Sequence, residues 1–187
     1  MRIIGGKFSG RTIAAPKGRE TRPTADRARE SLFNILLHKA DFDITGARVI
    51  DLFAGSGALG FEAMSRGAEF CLFVDTDADA RGAIRDNIEA LGLFGSTRLH
   101  RRSAVLLGPK PAGVGPAFTL AFLDPPYGKD LVPGALASLK AGSWLADGAL
   151  VIVEQGKTED PASLPGFEVE DRRNYGAAQI GFYRFRA

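Results

Sequence analysis

From residue 48 onward, short strand-like runs alternate with segments of helical period, and no other feature restricts the fold of this chain as much. The runs at 48–53, 70–74, 120–123 and 149–154 are mostly apolar, and 97–101 falls in the same rhythm. Helical patterns at 59–66, 78–91 and 130–140 separate them. Continuous apolar strands with intervening helices predict a parallel α/β sheet covered on both faces. Two further runs, 167–172 and 179–186, read as an antiparallel hairpin added to that sheet, which gives seven strands. The Gly- and Pro-rich stretch 108–116 reads as an exposed loop.

The first forty residues follow a different pattern. Short β-type runs around Gly5-Gly6 and Ser9-Gly10 predict a small hairpin, and a loop follows from Pro16 to Pro23. Thr24 then has the look of an N-cap, with Asp26 in the first turn and Ala28, Leu32, Ile35 and Leu36 giving helical period to about residue 37. Residues 1–39 are too short to build a core of their own and are expected to be an extension of one domain at 40–187.

Composition narrows the classes. With 25% charged and 45% hydrophobic residues the chain is ordinary for a globular protein. It has no apolar run long enough to span a bilayer and no signal-like start, so a cytoplasmic protein without membrane partners is expected. Cys71 is the one cysteine and lies in an apolar run, which makes it a core residue, and with only His38 and His100 no metal cluster is expected. The net charge of +2 is unevenly spread. Residues 1–38 carry eight Lys or Arg against three acids, a net +5, which leaves −3 for the remainder. Such a basic segment could track phosphates, or could equally be a solvated face.

Two motifs sit at predicted strand ends, where open α/β sheets bind ligands. In the first, Asp51-Leu52-Phe53-Ala54-Gly55-Ser56-Gly57-Ala58-Leu59-Gly60, a strand runs into a glycine-rich turn and a helix. Gly55, Gly57 and Gly60 fit the dinucleotide fingerprint, and Asp75 ends the next strand where it could bind a ribose diol. Asp51 tips the choice between cofactors: a carboxylate there repels a pyrophosphate but suits the ammonium of S-adenosylmethionine. The second motif is Asp124-Pro125-Pro126-Tyr127. An exocyclic base nitrogen is a poor nucleophile because its lone pair is delocalised into the ring. The Asp124 carboxylate and the Pro125 carbonyl could each accept an amino proton and draw that lone pair back, while Tyr127 stacks on the base. A structural turn with Tyr127 packed against its neighbours is the competing reading.

These motifs, together with Met1-Arg2-Ile3-Ile4-Gly5-Gly6, Arg22-Pro23-Thr24 and Asp26-Arg27-Ala28-Arg29-Glu30-Ser31-Leu32-Phe33-Asn34, resemble the bacterial RsmD-type 16S rRNA guanine-N2 methyltransferases over nearly the whole chain. The resemblance implies a Rossmann-like class I methyltransferase fold with an N-terminal β-hairpin and helix extension. It also implies S-adenosylmethionine as cofactor and a guanine of 16S rRNA, in the assembled small subunit, as substrate of a monomer. Asp124, Pro125 and Tyr127 are then the catalytic positions. Asp51, Phe53, Gly55, Ser56, Gly57 and Gly60 would hold the cofactor with Asp75, and Arg22 and Thr24 would border it. Arg22 could reach either the cofactor carboxylate or an RNA phosphate. Lys7, Arg11, Lys17 and Arg27 are candidates for RNA contact. One departure concerns the adenine: where this fold often carries an acid or amide after the third strand, Arg101-Arg102-Ser103-Ala104 offers Ser103. The rivals are a DNA adenine-N6 methyltransferase, for which no target-recognition segment is spare, a non-catalytic RNA-binding assembly factor and an NAD-dependent dehydrogenase.

Overall fold

A computed structural model describes residues 1–17 and 23–187, with side chains in the first turn of the first helix described from Asp26 onward. The strands are β1 (Arg48–Leu52), β2 (Phe70–Val74), β3 (Thr97–His100), β4 (Phe118–Leu123), β5 (Leu145–Gly156), β6 (Phe167–Tyr175) and β7 (Ala178–Phe185). They form one sheet in the order β3-β2-β1-β4-β5-β7-β6. The first five are parallel, and β7 runs antiparallel to both β5 and β6. The order reverses between β1 and β4, so the carboxyl ends of these two strands frame the crevice that the sequence motifs were expected to occupy.

Successive residues of each strand feed opposite faces. Val49, Cys71, Phe73 and Phe122 pack beneath the helices α1 (Pro23–Leu37), α2 (Ala58–Ser65) and α3 (Ala78–Leu91), and Cys71 is a core residue as expected. Ile50, Leu72, Ala121 and Val151 face α4 (Val132–Ala141) and Trp144 on the other side. Asp77 caps α3 by accepting from Ala80 N at 2.7 Å, and Gly92 closes it in the left-handed conformation. The 108–116 loop is less free than its composition suggests. Trp144 Nε1 donates to Gly108 O, Arg48 Nη2 donates to Val114 O, and Val114 is buried. Among the described residues no helix is long and apolar enough to cross a membrane.

The N-terminal hairpin is present and short. Arg2 and Thr12 form an isolated antiparallel bridge, and the tip between them is a single 3-10 turn, Gly6–Phe8. Ile3 N donates to Arg11 O, Ile13 N to Met1 O and Gly10 N to Ile3 O, so a short ladder closes the hairpin, while other donors of the segment turn to the body of the domain. Ile4 N and Gly5 N donate to the Glu62 carboxylate, Phe8 N to Ser65 Oγ and Ala14 N to Asn87 Oδ1. Ile3 and Ile13 join the same core as Phe33, Leu36 and Phe122, so this segment is a strap across α2 and α3. Helix α1 already includes Thr24, so that residue lies inside the first turn and not at the cap. Pro23, whose missing N–H would have no helical partner there, occupies the opening position.

Candidate active site

The glycine-rich turn leaves β1 through Phe53, whose φ of 59° is strained for a residue with a bulky side chain. Gly57 caps α2 at φ 78°, and a Cβ there would come within 2.6 Å of the Phe61 ring. A Cβ on Gly60 would collide with the Phe73 ring and the Cys71 sulfur, so that glycine is what lets α2 lie close on β2. The turn is fastened from below by side chains. Asp51 Oδ2 accepts from Gly60 N at 3.0 Å, Asp75 Oδ2 from Gly55 N at 2.8 Å, and Asn87 Nδ2 donates to Ser56 O at 3.1 Å. Asp75 Oδ1 takes Asp77 N at 2.8 Å, so both of its oxygens are held by the backbone.

Two cavities open at this end of the sheet. The smaller, about 310 Å³, lies between the glycine turn and the strap, and Asp51, Asp124 and Glu154 border it with Met1, Pro16 and Arg29. The larger, about 700 Å³, lies between the ends of β2 and β4, where Asp75, Ser103, Pro125, Tyr127 and Leu131 meet. Phe53 and Asp124 border both. Asp51 is 2% exposed. Burial pushes its carboxyl well above the usual carboxylate range, the Gly60 N–H pulls it back, and the nearby charges of Asp124 and Asp75 add to the rise. Asp124 follows directly on β4 and is exposed, whereas Pro125 is buried. Tyr127 is 45% exposed, and its hydroxyl donates to Glu154 Oε1 at 2.5 Å. Burial and that hydrogen bond hold the Tyr127 phenol well above its ordinary pKa.

The structure therefore brings together Asp51, Phe53, Gly55, Ser56, Asp75, Ser103, Asp124, Pro125 and Tyr127, all expected from sequence. Gly57 and Gly60 shape the turn from its helix side. Arg22 and the Thr24 side chain lie outside the described residues. The four cations proposed for RNA contact separate. Lys17 adjoins Pro16 at the smaller cavity, and Arg27, beside cavity-lining Ala28, borders a shallow groove along α1. Lys7 and Arg11 lie at the far end of the domain, the first on the turn that docks at Ser65 and the second donating to Ala90 O near the end of α3.

Four polar residues at or behind the site have no role in the reading of the sequence. Glu62, fully buried, accepts from two strap amides and from Arg66 Nε at 2.8 Å. Arg29, 6% exposed, lies 3.8 Å from the same carboxylate and donates to Arg2 O and Asp26. Asn87 joins the strap to the glycine turn, and Glu154 holds Tyr127. Glu62 had a readable signal: it is the one charged residue in the mostly apolar α2.

Comparison with known proteins agrees with this geometry. The model of the family described as Conserved hypothetical protein 95 matches residues 1–184. The ribosomal RNA small subunit methyltransferase D of Escherichia coli strain K12 is 36% identical over 154 residues, 82% of this chain and 74% of that protein. Its namesake from Haemophilus influenzae is 34% identical over 184 residues, 98% of this chain and 93% of that one. A solved Escherichia coli chain, yhhF, superposes with a TM-score of 0.83 at 32% identity, covering 100% of this chain and 98% of its own. On these matches the chain belongs to the Conserved hypothetical protein 95 family, the family of the RsmD-type bacterial methyltransferases.

Proposed function

We propose that this protein transfers a methyl group from S-adenosylmethionine to the exocyclic N2 of a guanine in 16S rRNA, presented in the assembled small ribosomal subunit. The observation that carries the reading is the position of Asp124 on the shared border of the two cavities. A cofactor lying across both would have its reacting centre at the carboxylate that can hold an amino group. The family relatives named as small-subunit rRNA methyltransferases supply the substrate class.

The residues fit such a cofactor. Asp51, Asp75, Asp77, Asp124 and Glu154 border the cavities, against Arg29 and Arg102, and this excess of acid suits a ligand bearing sulfonium and ammonium charges. It does not suit a dinucleotide. The amides of Gly55, Gly57 and Gly60 already donate to Asp75, Ala54 and Asp51, so a pyrophosphate at this turn would meet carboxylates where it needs N–H donors. Asp75 is set to take the ribose hydroxyls, Ser103 the adenine, and Asp51 the ammonium end.

When bound, the cofactor supplies a methyl already activated on sulfur, so the chain's own work is placement. The Asp124 carboxylate and the Pro125 carbonyl accept hydrogen bonds from the two amino N–H groups and localise the nitrogen lone pair, and the one proton that the methylated nitrogen sheds is released to solvent. Asp124 also offsets the positive charge that develops on that nitrogen. Tyr127 offers a ring face to a base turned out of its stack, worth about 1 to 3 kcal/mol. Lys17 and Arg27, at the site end of the domain, are the cations best placed for phosphates flanking the target. Lys7 and Arg11 could meet RNA only along the α2–α3 side.

The test is to incubate the protein with labelled S-adenosylmethionine and, in parallel, small subunits lacking the modification, free 16S rRNA and duplex DNA, then identify the methylated nucleoside. N2-methylguanosine from the subunits is the expected product. N6-methyladenine from DNA would reject the proposal, and no label in any arm would favour the non-catalytic rival.

A further inference from the structure

We propose that Glu154 is a positioning residue for methyl transfer, fixing the Tyr127 ring at the mouth of the larger cavity before the acceptor base arrives. The inference rests on the functional reading above, in which Tyr127 faces that base. Glu154 is well placed to act as a fixed post. It lies near the end of β5, opposite Ile180 of β7, and the preceding residue Val153 is paired on both sides, to Leu123 and to Gly181. Tyr127, by contrast, comes from the loop after β4 and is 45% exposed. A ring so exposed would sample several rotamers if packing alone held it.

Two hydrogen bonds to acids of one segment restrain consecutive residues of that loop. Tyr127 Oη donates to Glu154 Oε1 at 2.5 Å, and Gly128 N donates to Glu159 Oε1 at 2.5 Å. Glu159 is itself set by a turn in which its N–H donates to Gly156 O at 2.9 Å. The ordering of the ring is thus completed on folding and is not charged against base binding. Glu154 also borders the smaller cavity together with Asp124, so a direct action on a ligand is the alternative that a test must separate.

The test uses the full chain and four variants: Glu154→Ala, Glu154→Gln, Tyr127→Phe and the double Glu154→Ala/Tyr127→Phe. Ring-labelled tyrosine NMR of the protein alone, with Tyr127 assigned among the three tyrosines, should find a restrained Tyr127 ring in the wild type and in Glu154→Gln. In Glu154→Ala the ring should average over rotamers. A ring as ordered in Glu154→Ala as in the wild type overturns the proposal, whatever the substrate proves to be. In turnover, Glu154→Ala and Tyr127→Phe should each lose about ten- to a hundredfold in kcat/KM for the acceptor, and the double variant should lose no more than either. Glu154→Gln, whose amide oxygen still accepts, should recover most of the rate, and S-adenosylmethionine affinity should stay level throughout. Additive losses, failure of the glutamine to rescue, or a fall in cofactor affinity would each show Glu154 acting on a ligand directly. If the wild type methylates no RNA, the functional reading fails and the ring measurement still decides the clamp.

Discussion

Asp51 and Asp124 border the same cavity, yet their surroundings give them different work. Asp124 is exposed at the strand end, so Asp124→Ala should fold normally and bind cofactor within about threefold of the wild type while losing about 10²-fold or more in turnover. Isothermal titration beside a single-turnover assay checks both halves. Asp51 is buried with its pKa raised. Unfolded, it ionises near the ordinary value of about 3.9, so between that value and its higher folded value the folded state binds more protons. Its contribution to stability is therefore most favourable at low pH and declines as pH rises through the folded pKa. Asp51→Asn, which keeps an oxygen for Gly60 N, should raise the ligand-free Tm at pH 7 by about 2–4 °C, with the gain vanishing below about pH 4. The same change should weaken cofactor binding about tenfold or more. Melts across pH 4–8 with and without S-adenosylmethionine read the trade. Both aspartates were legible because each stands beside glycines or prolines at the end of an apolar run. Glu154 and Asn87 were not, since a lone polar residue in a sequence looks the same whether it is solvated or, like these two, bound to groups far away in the chain.

Most elements lie where hydrophobic rhythm places them, and the departures have local causes. β5 begins at Leu145, before the apolar run that announces it, because the strand continues through Asp147 and Gly148, whose polar residues no apolar rhythm would include. The order within the final hairpin is less obvious: its second strand, not its first, pairs with β5. The difference is present in composition. β6 reads Phe-Glu-Val-Glu-Asp-Arg-Arg and is largely exposed, whereas β7 is buried almost throughout, which suits an edge and an interior strand respectively. Arg184 fastens that arrangement. Its guanidinium donates to Glu170 at 2.7 Å, Asp41 at 2.6 Å and Gly148 O at 3.0 Å, and Lys39 pairs with the same two acids. Burial alone would raise the Glu170 carboxyl, but Arg184 and Lys39 bring it below the usual range. A carboxyl lowered in this way adds stability above its unfolded pKa and loses it as pH falls through the folded value. Arg184→Met should cost about 1–3 kcal/mol, read as a lower urea midpoint with unchanged slope, the acids being too exposed for more. It should also flatten the acid limb of the stability curve.

At the level of the whole molecule, strap, helices and sheet close around one site. Met1 and Pro16 of the strap, Arg29 of α1 and Ile180 of β7 all border the smaller cavity, so strap, first helix and seventh strand meet there. Ligand binding should accordingly protect the strap: S-adenosylhomocysteine should slow proteolytic cleavage in residues 1–17 more than it slows cleavage near Lys110. Equal protection at both places would contradict the shared wall. A chain stopped after Asn174 should lose cooperative unfolding altogether, whereas removal of Arg186 and Ala187 should leave a sharp melt, as calorimetry would show. The reason lies in the place of β7 within the sheet. Its eight residues follow β6 in the chain, yet they fill an interior place between β5 and β6. Until they dock, the chain presents the open flank of β5 and an unsupported β6, both ready to pair with strangers. Slow docking of this single strand should therefore cost yield through aggregation, even where the finished fold is stable.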